Sequence, residues 1–395
     1  MRFRFSPEEE AFREEIRAFL RDELPDGWAQ GSGGGVFGEA AEDRWQFLRD
    51  FQRKLSAKGW LTLGWPKEQG GMAAGHMMQV IYSEEMAYNR APTQVGVGPD
   101  RVGPTIILAG TEEQMARPLP AIAAAETVWC QGFSEPGSGS DLASLQTRAE
   151  LDGDHFVING QKIWTSIAHR ADWCVLLVRT DPEAPKHKGI SYLLVDMSLP
   201  GIEVRPLIDL TARHTFNDVF FDNVRVPRDC LVGGLNEGWY IAAATLDFER
   251  SGINRVVAGI RIYEELAEYC RTSTDGERPV DRPGVATKLA ELSLEFQIGR
   301  LLAYRVASMQ ARGQVPNAEA SLSKVFGSEL QQRLADSALN ILGLPSQLTA
   351  ESIGAPLGGR LHEYYLSTAG LTIAAGTSEI QRNIIAGRGL GLPRG

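Results

Sequence analysis

The sequence predicts a multi-domain α+β protein in which a helical N-terminal domain, a central antiparallel β domain and a C-terminal helical bundle follow one another. The chain has 395 residues, more than one hydrophobic core usually serves. Its apolar residues change from a helical period to an alternating one near residue 126, and the helical period returns near residue 236. We therefore predict domains at 1–125, 126–235 and 236–395.

The N-terminal domain opens with a helix signal. Ser6 precedes Pro7 and three glutamates, which supply a capping hydroxyl, a proline at the first helical position and acids in the first turn. The longest interruption is the glycine-rich stretch at 31–40. Its glycines match the spacing GxGxxG, but no strand precedes them, so we interpret the stretch as a loop and not as a dinucleotide-binding turn.

The central domain consists of short β-rich runs separated by turn residues. The dipeptides Asp152-Gly153 and Asn159-Gly160 are typical of tight turns, and we expect a turn at each. The runs around them include WCVLLVRT, ISYLLVD and NDVFFDNVRV. This pattern predicts a small antiparallel β domain.

The C-terminal domain reads as long helices with breaks at TDGERPVDRPG, RGQVPN and GLPSQL. In the helix after Asn236, one acid interrupts an apolar face whose members are spaced by three, four and seven residues. The residues on this face are Leu246, Glu249, Ile253, Val256, Val257 and Ile260. The acid has two interpretations, a buried ion pair with a basic residue elsewhere or a functional carboxylate.

Composition excludes several classes of function. The formal net charge of −10, with no basic run, argues against nucleic-acid binding. No apolar stretch reaches the roughly 20 residues of a membrane helix, and the first residues are charged, so we expect a cytoplasmic protein. The four cysteines form no CxxC pair, so we expect neither a metal site nor a disulfide scaffold. The motifs GxSxG, GxxxxGK[ST] and HExxH do not occur.

Three segments carry a more specific signal. The first, QGFSEPGSGSD at 131–141, has glycines and serines that let backbone N–H groups approach an anion, although such residues also form ordinary turns. INGQKIWTS at 158–166 and GTSEIQR at 376–382 follow. In this order, with the helix–β–helix layout and the phrase DNVRVP at 222–227, they resemble the acyl-CoA dehydrogenase family over nearly the whole chain.

The resemblance implies FAD-dependent introduction of a double bond α,β to the thioester carbonyl of an acyl-CoA. It assigns cofactor contacts to residues in all three segments and substrate contacts to four positions. The implied cofactor-binding residues are Gln131, Phe133, Ser134, Gly139, Ser140, Trp164, Ser166, Thr377 and Glu379. The implied substrate-binding residues are Ser140, Asp247, Arg250 and Gly376.

The resemblance also indicates where the catalytic base lies. Dehydrogenation needs a base for the α-proton while hydride leaves the β-carbon. Most family members carry that base directly before the GTS segment, where this chain has Ala375. The isovaleryl and long-chain branches carry it directly before an arginine that matches Arg250. We therefore expect Glu249 to be the base.

Partners follow from the same resemblance. Relatives pass electrons to an electron-transfer flavoprotein and form oligomers, often tetramers, so we expect a homo- or hetero-oligomer here. Two segments that reach a neighbouring subunit's FAD in homotetrameric relatives are altered at 271–278 and 340–346. This resembles the branch that acts on bulky acyl groups such as sterol side chains.

Two alternatives stay open at this point. Ala375 also suits a non-catalytic or half-site subunit of a heteromeric acyl-CoA dehydrogenase. A flavin monooxygenase or nitroalkane oxidase on the same fold would share the FAD segments without the thioester chemistry.

Overall fold

The structure is a computed structural model that describes residues 4–28, 42–93, 95–247, 252–272 and 276–393, without the side chains of 245–247. The chain divides into two compact units. One comprises Met1–Gly34, Gly75–Ala91 and Arg250–Gly395, and the other Gly35–Ala74 and Pro92–Glu249. The domain boundaries predicted from the sequence divide the chain differently and stay a prediction. The glycine-rich stretch at 31–40 lies outside the described residues.

Helices occupy both ends of the described chain, and strands occupy its middle. The helices are α1 (Pro7–Glu23), α2 (Glu42–Ala57), α3 (His76–Tyr88), α4 (Gly103–Ala109), α5 (Glu112–Ala116), α6 (Pro118–Ala123), α7 (Gly238–Asp247), α8 (Ile253–Arg271), α9 (Val285–Gln310), α10 (Asn317–Leu342), α11 (Arg360–Leu371) and α12 (Ser378–Ile384). The strands are β1 (Trp129–Gly132), β2 (Arg148–Asp152), β3 (His155–Lys162), β4 (Trp173–Arg179), β5 (Ile190–Asp196), β6 (Ile202–Ile208), β7 (His214–Pro227) and β8 (Leu231–Val232). This order confirms the predicted fold class.

Helix α1 begins where the sequence predicts. The Ser6 hydroxyl accepts the Glu9 N–H at 3.2 Å, and the Glu9 carboxylate accepts the Ser6 N–H at 2.7 Å. This reciprocal capping box satisfies two backbone donors that a helix start leaves free. Ile16 and Leu20 lie on the buried face of the helix.

The strands form one sheet in the order β6-β7-β3-β2-β4-β5-β8, with β1 beside β4. Most neighbours run antiparallel, as predicted, whereas β1–β4 and β2–β4 are parallel pairs. Strands β4 and β5 are buried on both faces because separate apolar clusters cover the two sides of the sheet. This explains their nearly continuous apolar sequences.

One of the two predicted turns is wrong. Gly153 lies in the tight turn between β2 and β3, with Asp152 paired to His155. Asn159 and Gly160 instead lie inside β3. A Cβ on Gly160 would stand 2.5 Å from the Thr147 hydroxyl oxygen, so this glycine permits close packing and does not form a turn.

The predicted helix after Asn236 is also corrected, because two helices replace it. Helix α7 ends at Asp247 and α8 begins at Ile253, after Gly252 with φ 64° and ψ 12°. A left-handed residue interrupts a right-handed helix. Val256 and Val257 of the predicted apolar stripe are buried in the second helix, whereas the side chain of Leu246 and the whole of Glu249 lie outside the described residues.

The three predicted breaks between the later helices fall between α8 and α9, between α9 and α10, and after α10. Cys130, Cys174 and Cys270 are buried thiols, and Cys230 is half-buried. None of the described helices has the length and apolarity needed to cross a bilayer.

Candidate cofactor site

The first predicted segment leaves the sheet at the end of β1 and forms a tight turn. Glu135 and Ser138 exchange backbone hydrogen bonds of 2.9 and 3.0 Å. Phe133 is buried in the core, whereas Gly139 and Ser140 are exposed. No atom of the described residues lies within 4 Å of a Cβ built on Gly139. The turn therefore has an open surface of small residues where a ligand can approach the backbone closely.

A buried ion pair holds this turn to β3. The Lys162 ammonium donates to the Glu135 carboxylate at 2.8 Å and to the Phe133 carbonyl at 3.0 Å. The Glu135 carboxylate also accepts the backbone N–H groups of Gln146 and Thr147, at 2.6 and 2.8 Å. The pair thus joins the turn, β3 and the chain that enters β2.

Burial and pairing shift both pKa values in this pair. Burial lowers the pKa of Lys162 to about 8, although Glu135 partly offsets the effect. Burial acts to raise the pKa of Glu135, but Lys162 and the backbone donors outweigh it, so that pKa lies below its usual value. We expect both groups to be charged at neutral pH.

The second predicted segment contains a β-bulge. Lys162 pairs with Val219 of β7, and pairing resumes where Thr165 and Asn217 exchange two backbone hydrogen bonds of 3.1 Å. Two residues of the first chain, Ile163 and Trp164, thus face only Asp218 of the second. The Ile163 N–H donates instead to the Ser134 carbonyl at 2.9 Å. This bond places the two predicted segments side by side.

Trp164 is the unusual residue of the bulge. Its φ is 59°, a left-handed conformation that is rare for a bulky side chain and costs free energy. Its indole is 55% exposed and contacts the Phe216 ring edge-on, with centroids 5.6 Å apart. Bulges commonly redirect a side chain beside an active site. The structure thus holds a large aromatic face at the surface, next to the turn that follows β1.

Two polar atoms near these segments are buried and have no hydrogen-bond partner among the described residues. They are the Gln131 side-chain oxygen and the Thr165 hydroxyl. Gln131 immediately precedes the turn, and an unpaired buried oxygen costs about 1–3 kcal/mol. A ligand that donates a hydrogen bond would satisfy it. Together with the exposed indole and the open Gly139 backbone, this oxygen fits a planar, polar cofactor with an anionic part, as FAD is.

The third predicted segment belongs to the other unit. Ala375 and Gly376 both have left-handed backbones, with φ 53° and 81°. Thr377 caps α12 by accepting the Ile380 N–H at 3.2 Å. Ser378 is buried with an unpartnered hydroxyl. Glu379 is exposed, and its own backbone N–H and the Thr377 hydroxyl keep its pKa below the usual value.

A separate cavity in the same unit contains none of the predicted site residues. It measures about 650 Å³, and its walls include Arg13, Arg17, Glu84, Glu85 and Arg300. These charges pair among themselves, with Arg13 at 3.0 Å from Glu84 and 2.6 Å from Glu85. Such a network holds α1, α3 and α9 together, so we assign it a structural role.

The structure places some of the predicted residues together, but the roles of all of them stay predictions. The two segments that contain Gln131, Phe133, Ser134, Gly139, Ser140, Trp164 and Ser166 are joined by the bond from the Ile163 N–H to the Ser134 carbonyl. Gly376, Thr377 and Glu379 lie in the other unit. Asp247 ends α7 with its side chain undescribed, and Glu249 and Arg250 lie outside the described residues.

Sequence reasoning missed three residues of the site. Glu135 and Lys162 stand within the quoted segments, but lysine is seldom fully buried. Asn217 occupies a core-facing position of β7 between Thr215 and Val219, and the alternation along this strand is the signal that could have found it.

Comparisons with known proteins agree with this fold. Family models for the N-terminal, middle and C-terminal domains of acyl-CoA dehydrogenases match residues 6–126, 130–224 and 236–390. Acyl-CoA dehydrogenase IpdE1 of Mycobacterium tuberculosis is 39% identical over 394 residues, which cover 98% of each chain.

Two solved structures are similar over the full length of both chains. The Tcur3481-Tcur3483 steroid ACAD superposes with a TM-score of 0.90 at 34% identity. The ChsE4-ChsE5 complex from Mycobacterium tuberculosis does so with a TM-score of 0.88 at 34% identity. Each comparison covers 100% of this chain and 100% of the other. The chain therefore belongs to the acyl-CoA dehydrogenase family and is an oxidoreductase of that kind.

Proposed function

We propose that this enzyme binds FAD and dehydrogenates a bulky acyl-CoA thioester, with Glu249 as the base. The observation that carries the cofactor proposal is the bulged Trp164, whose exposed indole is held beside the Ser134 backbone by the Ile163 N–H. A strained, exposed tryptophan is costly for stability alone, and contact with the aromatic face of a ligand would explain its presence.

The residues have distinct proposed tasks. Trp164 offers a flat surface to the flavin ring, and Ser134 and Ser166 offer hydroxyls close to it. Gly139 and Ser140 leave the backbone open to the pyrophosphate, and Gln131 accepts a hydrogen bond in its buried position. We propose that Thr377 and Glu379 also contact the cofactor. FAD, when bound, supplies the acceptor for the hydride that leaves the β-carbon.

The substrate side rests mainly on Asp247, Glu249 and Arg250, whose side chains lie outside the described residues. We propose that Glu249 takes the α-proton and that Asp247 and Arg250 bind the acyl-CoA together with Ser140 and Gly376. Ala375 has a methyl group and cannot accept a proton, so the base must come from another position. A carboxylate that loses water around it becomes a stronger base for this step.

The cofactor proposal is tested on the purified protein. We expect denaturation to release FAD, identified by chromatography and mass. Released FMN, or a colourless protein that takes up no FAD, would contradict the proposal. Gly139→Val should weaken FAD binding at least about tenfold by obstructing the open backbone. Gly75→Val, at another exposed glycine with open space around it and an extended backbone of φ −62°, is the matched control and should leave FAD binding unchanged.

The base is tested by Glu249→Gln. We expect FAD to stay bound while turnover falls at least about a thousandfold, since glutamine keeps the shape and loses the basicity. Glu237→Gln, an exposed acid at the start of α7, should retain full turnover. If Glu249 were half of a buried ion pair, the substitution would lower stability by about 3–5 kcal/mol. Activity would then fall only as much as the amount of folded protein falls.

The substrate class is the least direct part of the proposal. Relatives at 34% identity include a protein named a steroid ACAD, and the altered segments at 271–278 and 340–346 agree with that branch. We expect faster flavin bleaching with branched or cyclic acyl-CoA thioesters than with a straight eight-carbon one. Electrons would then pass to an electron-transfer flavoprotein. The opposite substrate order would exclude the bulky-acyl proposal.

We also propose that the protein forms an oligomer, either with copies of itself or with a second related chain. Leu294, Ile298 and Leu301 follow one face of α9 and are 66%, 47% and 54% exposed, a stripe that association would cover. The ChsE4-ChsE5 structure is a complex of two chains, which favours a half-site subunit as the second candidate. Light scattering and the flavin-to-protein ratio decide: one FAD per chain in a homotetramer excludes the half-site alternative.

A further inference from the structure

Asn217 occupies a position where the strand pattern calls for an apolar residue. Thr215, Asn217, Val219 and Phe221 alternate along β7 on its buried side, and Asn217 is 0% exposed. Burying an amide costs free energy unless its hydrogen bonds are made. Its presence among core residues therefore needs an explanation from its partners.

Those partners are all on one side of the bulge. The Asn217 side-chain N–H donates to the Thr165 carbonyl at 2.9 Å, and the Asn217 backbone N–H donates to the same carbonyl at 3.1 Å. The Asn217 side-chain oxygen is 2.7 Å from Nε2 of His214. Since the amide nitrogen is already the donor to Thr165, this oxygen accepts, and His214 Nε2 carries the proton.

The amide thus adds a bond that only the bulged register allows. If Trp164 returned to regular pairing, Thr165 would face Phe216 and its carbonyl would lose the Asn217 side chain. A tryptophan with a left-handed backbone is strained, so the bulged state needs a compensating interaction. The double hydrogen bond at the Thr165 carbonyl supplies one.

We propose that Asn217 is a positioning residue of this enzyme, which locks the bulge and thereby holds Trp164 and Ser166 in place for the flavin. The inference rests on the proposed function, in which these two residues contact the cofactor. Asn217 itself is buried beneath the segment and acts through Thr165. His214 supports it by holding the amide oxygen, and the His169 ring stacks on His214 with centroids 4.1 Å apart.

The test is Asn217→Val, which keeps the strand and the backbone bonds and removes the amide. With FAD saturating, we expect the rate of flavin reduction by substrate to fall about 10- to 100-fold, because small displacements of positioned groups have effects of that size. KM should change much less, and the visible spectrum of the bound flavin should shift. His214→Leu should move the same readouts in the same direction by a smaller factor.

Asn159→Val is the matched control. Asn159 also bonds across β3 and β7, to Asn223, but lies away from the Trp164 bulge. We expect it to leave the flavin spectrum and the reduction rate unchanged. An Asn217→Val enzyme with the wild-type spectrum and reduction rate would overturn the inference.

Hydrogen exchange separates this inference from the proposed function. In flavin-free protein, Asn217→Val should speed exchange of the Thr165 and Ile167 amides at least about tenfold while the amides of β4 stay protected. A wild-type chain that binds no flavin refutes the proposed function. The exchange rates then still show whether the Asn217 side chain stabilises the bulge. Unchanged exchange at these two amides would refute the stabilisation of the bulge by Asn217, even in an enzyme that binds flavin.

Discussion

Strands β3 and β7 contain two bulges that differ in what they are made of. At the first, Asp222 and Asn223 face Asn159, and Asn223 has φ 51°. Its N–H donates to the Asn159 side-chain oxygen at 2.9 Å. At the second, the left-handed residue is Trp164 and the supporting amide is the buried Asn217.

The difference separates a structural irregularity from a functional one. Asparagine is among the residues that tolerate a left-handed backbone, and an exposed asparagine pair satisfies its own hydrogen bonds. The first bulge is therefore explained by its own residues. The second places a bulky aromatic where it is disfavoured and buries an amide to keep it there. Strain held by surrounding structure is a feature of ligand sites.

The largest effect is expected at Lys162, between the two bulges. Lys162→Met leaves the Glu135 carboxylate buried and unpaired, which should lower the free energy of unfolding by about 3–5 kcal/mol. Urea unfolding of the flavin-free protein measures it. Lys186→Met, which removes an exposed pair with Asp141, should cost about 0–1 kcal/mol. Equal losses of unfolding free energy in the two variants would show that the buried Lys162–Glu135 pair stabilises the protein no more than the exposed pair does.

A pH effect follows from the same lysine. Its pKa is about 8 in the folded chain against an ordinary 10.5, so the unfolded chain binds more protons between these values. Stability from this group therefore rises as the pH goes from about 8 to 10.5. We expect the unfolding free energy of the wild type relative to Lys162→Met to increase over that window. If this difference in unfolding free energy did not change with pH, the pKa of Lys162 in the folded chain would be the ordinary one.

A smaller loss of stability is expected when Gly160, next to the first bulge, is replaced. A Cβ there would lie 2.5 Å from the Thr147 hydroxyl oxygen and 2.6 Å from the Thr147 Cα, so Gly160→Ala should cost about 1–3 kcal/mol through overpacking. The matched control is Gly139→Ala, whose added methyl group meets no atom within 4 Å and should change stability by no more than about 0.5 kcal/mol. Thermal unfolding distinguishes the two.

The smallest change in stability is expected when the left-handed residue of each bulge, Trp164 or Asn223, is replaced by glycine. These two variants should differ most clearly in their FAD affinity. Trp164→Gly relieves about 1–2 kcal/mol of left-handed strain and loses an aromatic contact worth about 0.5–1.5 kcal/mol. The stability of the flavin-free protein should therefore change by no more than about 1.5 kcal/mol, while FAD affinity falls at least about tenfold. Asn223→Gly should alter neither quantity. A loss of FAD affinity in both variants would remove the distinction between the bulges.

Hydrophobic period predicted the order of helices and strands because it is a local property. The runs WCVLLVRT and ISYLLVD became β4 and β5, and the breaks after α8, α9 and α10 fell where glycine and proline cluster. The failures have a common cause. Asn159-Gly160 has a turn composition, but its pairing with β7 and its packing on Thr147 decide otherwise. Gly252, with its left-handed backbone, directly precedes α8 and interrupts a helical pattern that the surrounding residues alone would continue.

The site was predictable only in part for the same reason. Gly139, Ser140 and Trp164 stand in segments whose composition or family resemblance marks them. Lys162 and Asn217 are recognised only when the fold shows them buried, since the burial of a polar residue depends on partners that are distant in sequence. The bulge itself depends on the register between β3 and β7, which no single strand specifies.

The two bulges also have a consequence for insertions and deletions. The first adds a residue to β7 and the second adds one to the chain leaving β3, so the two chains have equal lengths between the Ile158–Val224 and Thr165–Asn217 pairs. A one-residue deletion at either bulge alone makes these lengths unequal and forces the segment after Trp164 to slide along β7. Deletion of both extra residues keeps the lengths equal. Related chains should therefore gain or lose the two residues together.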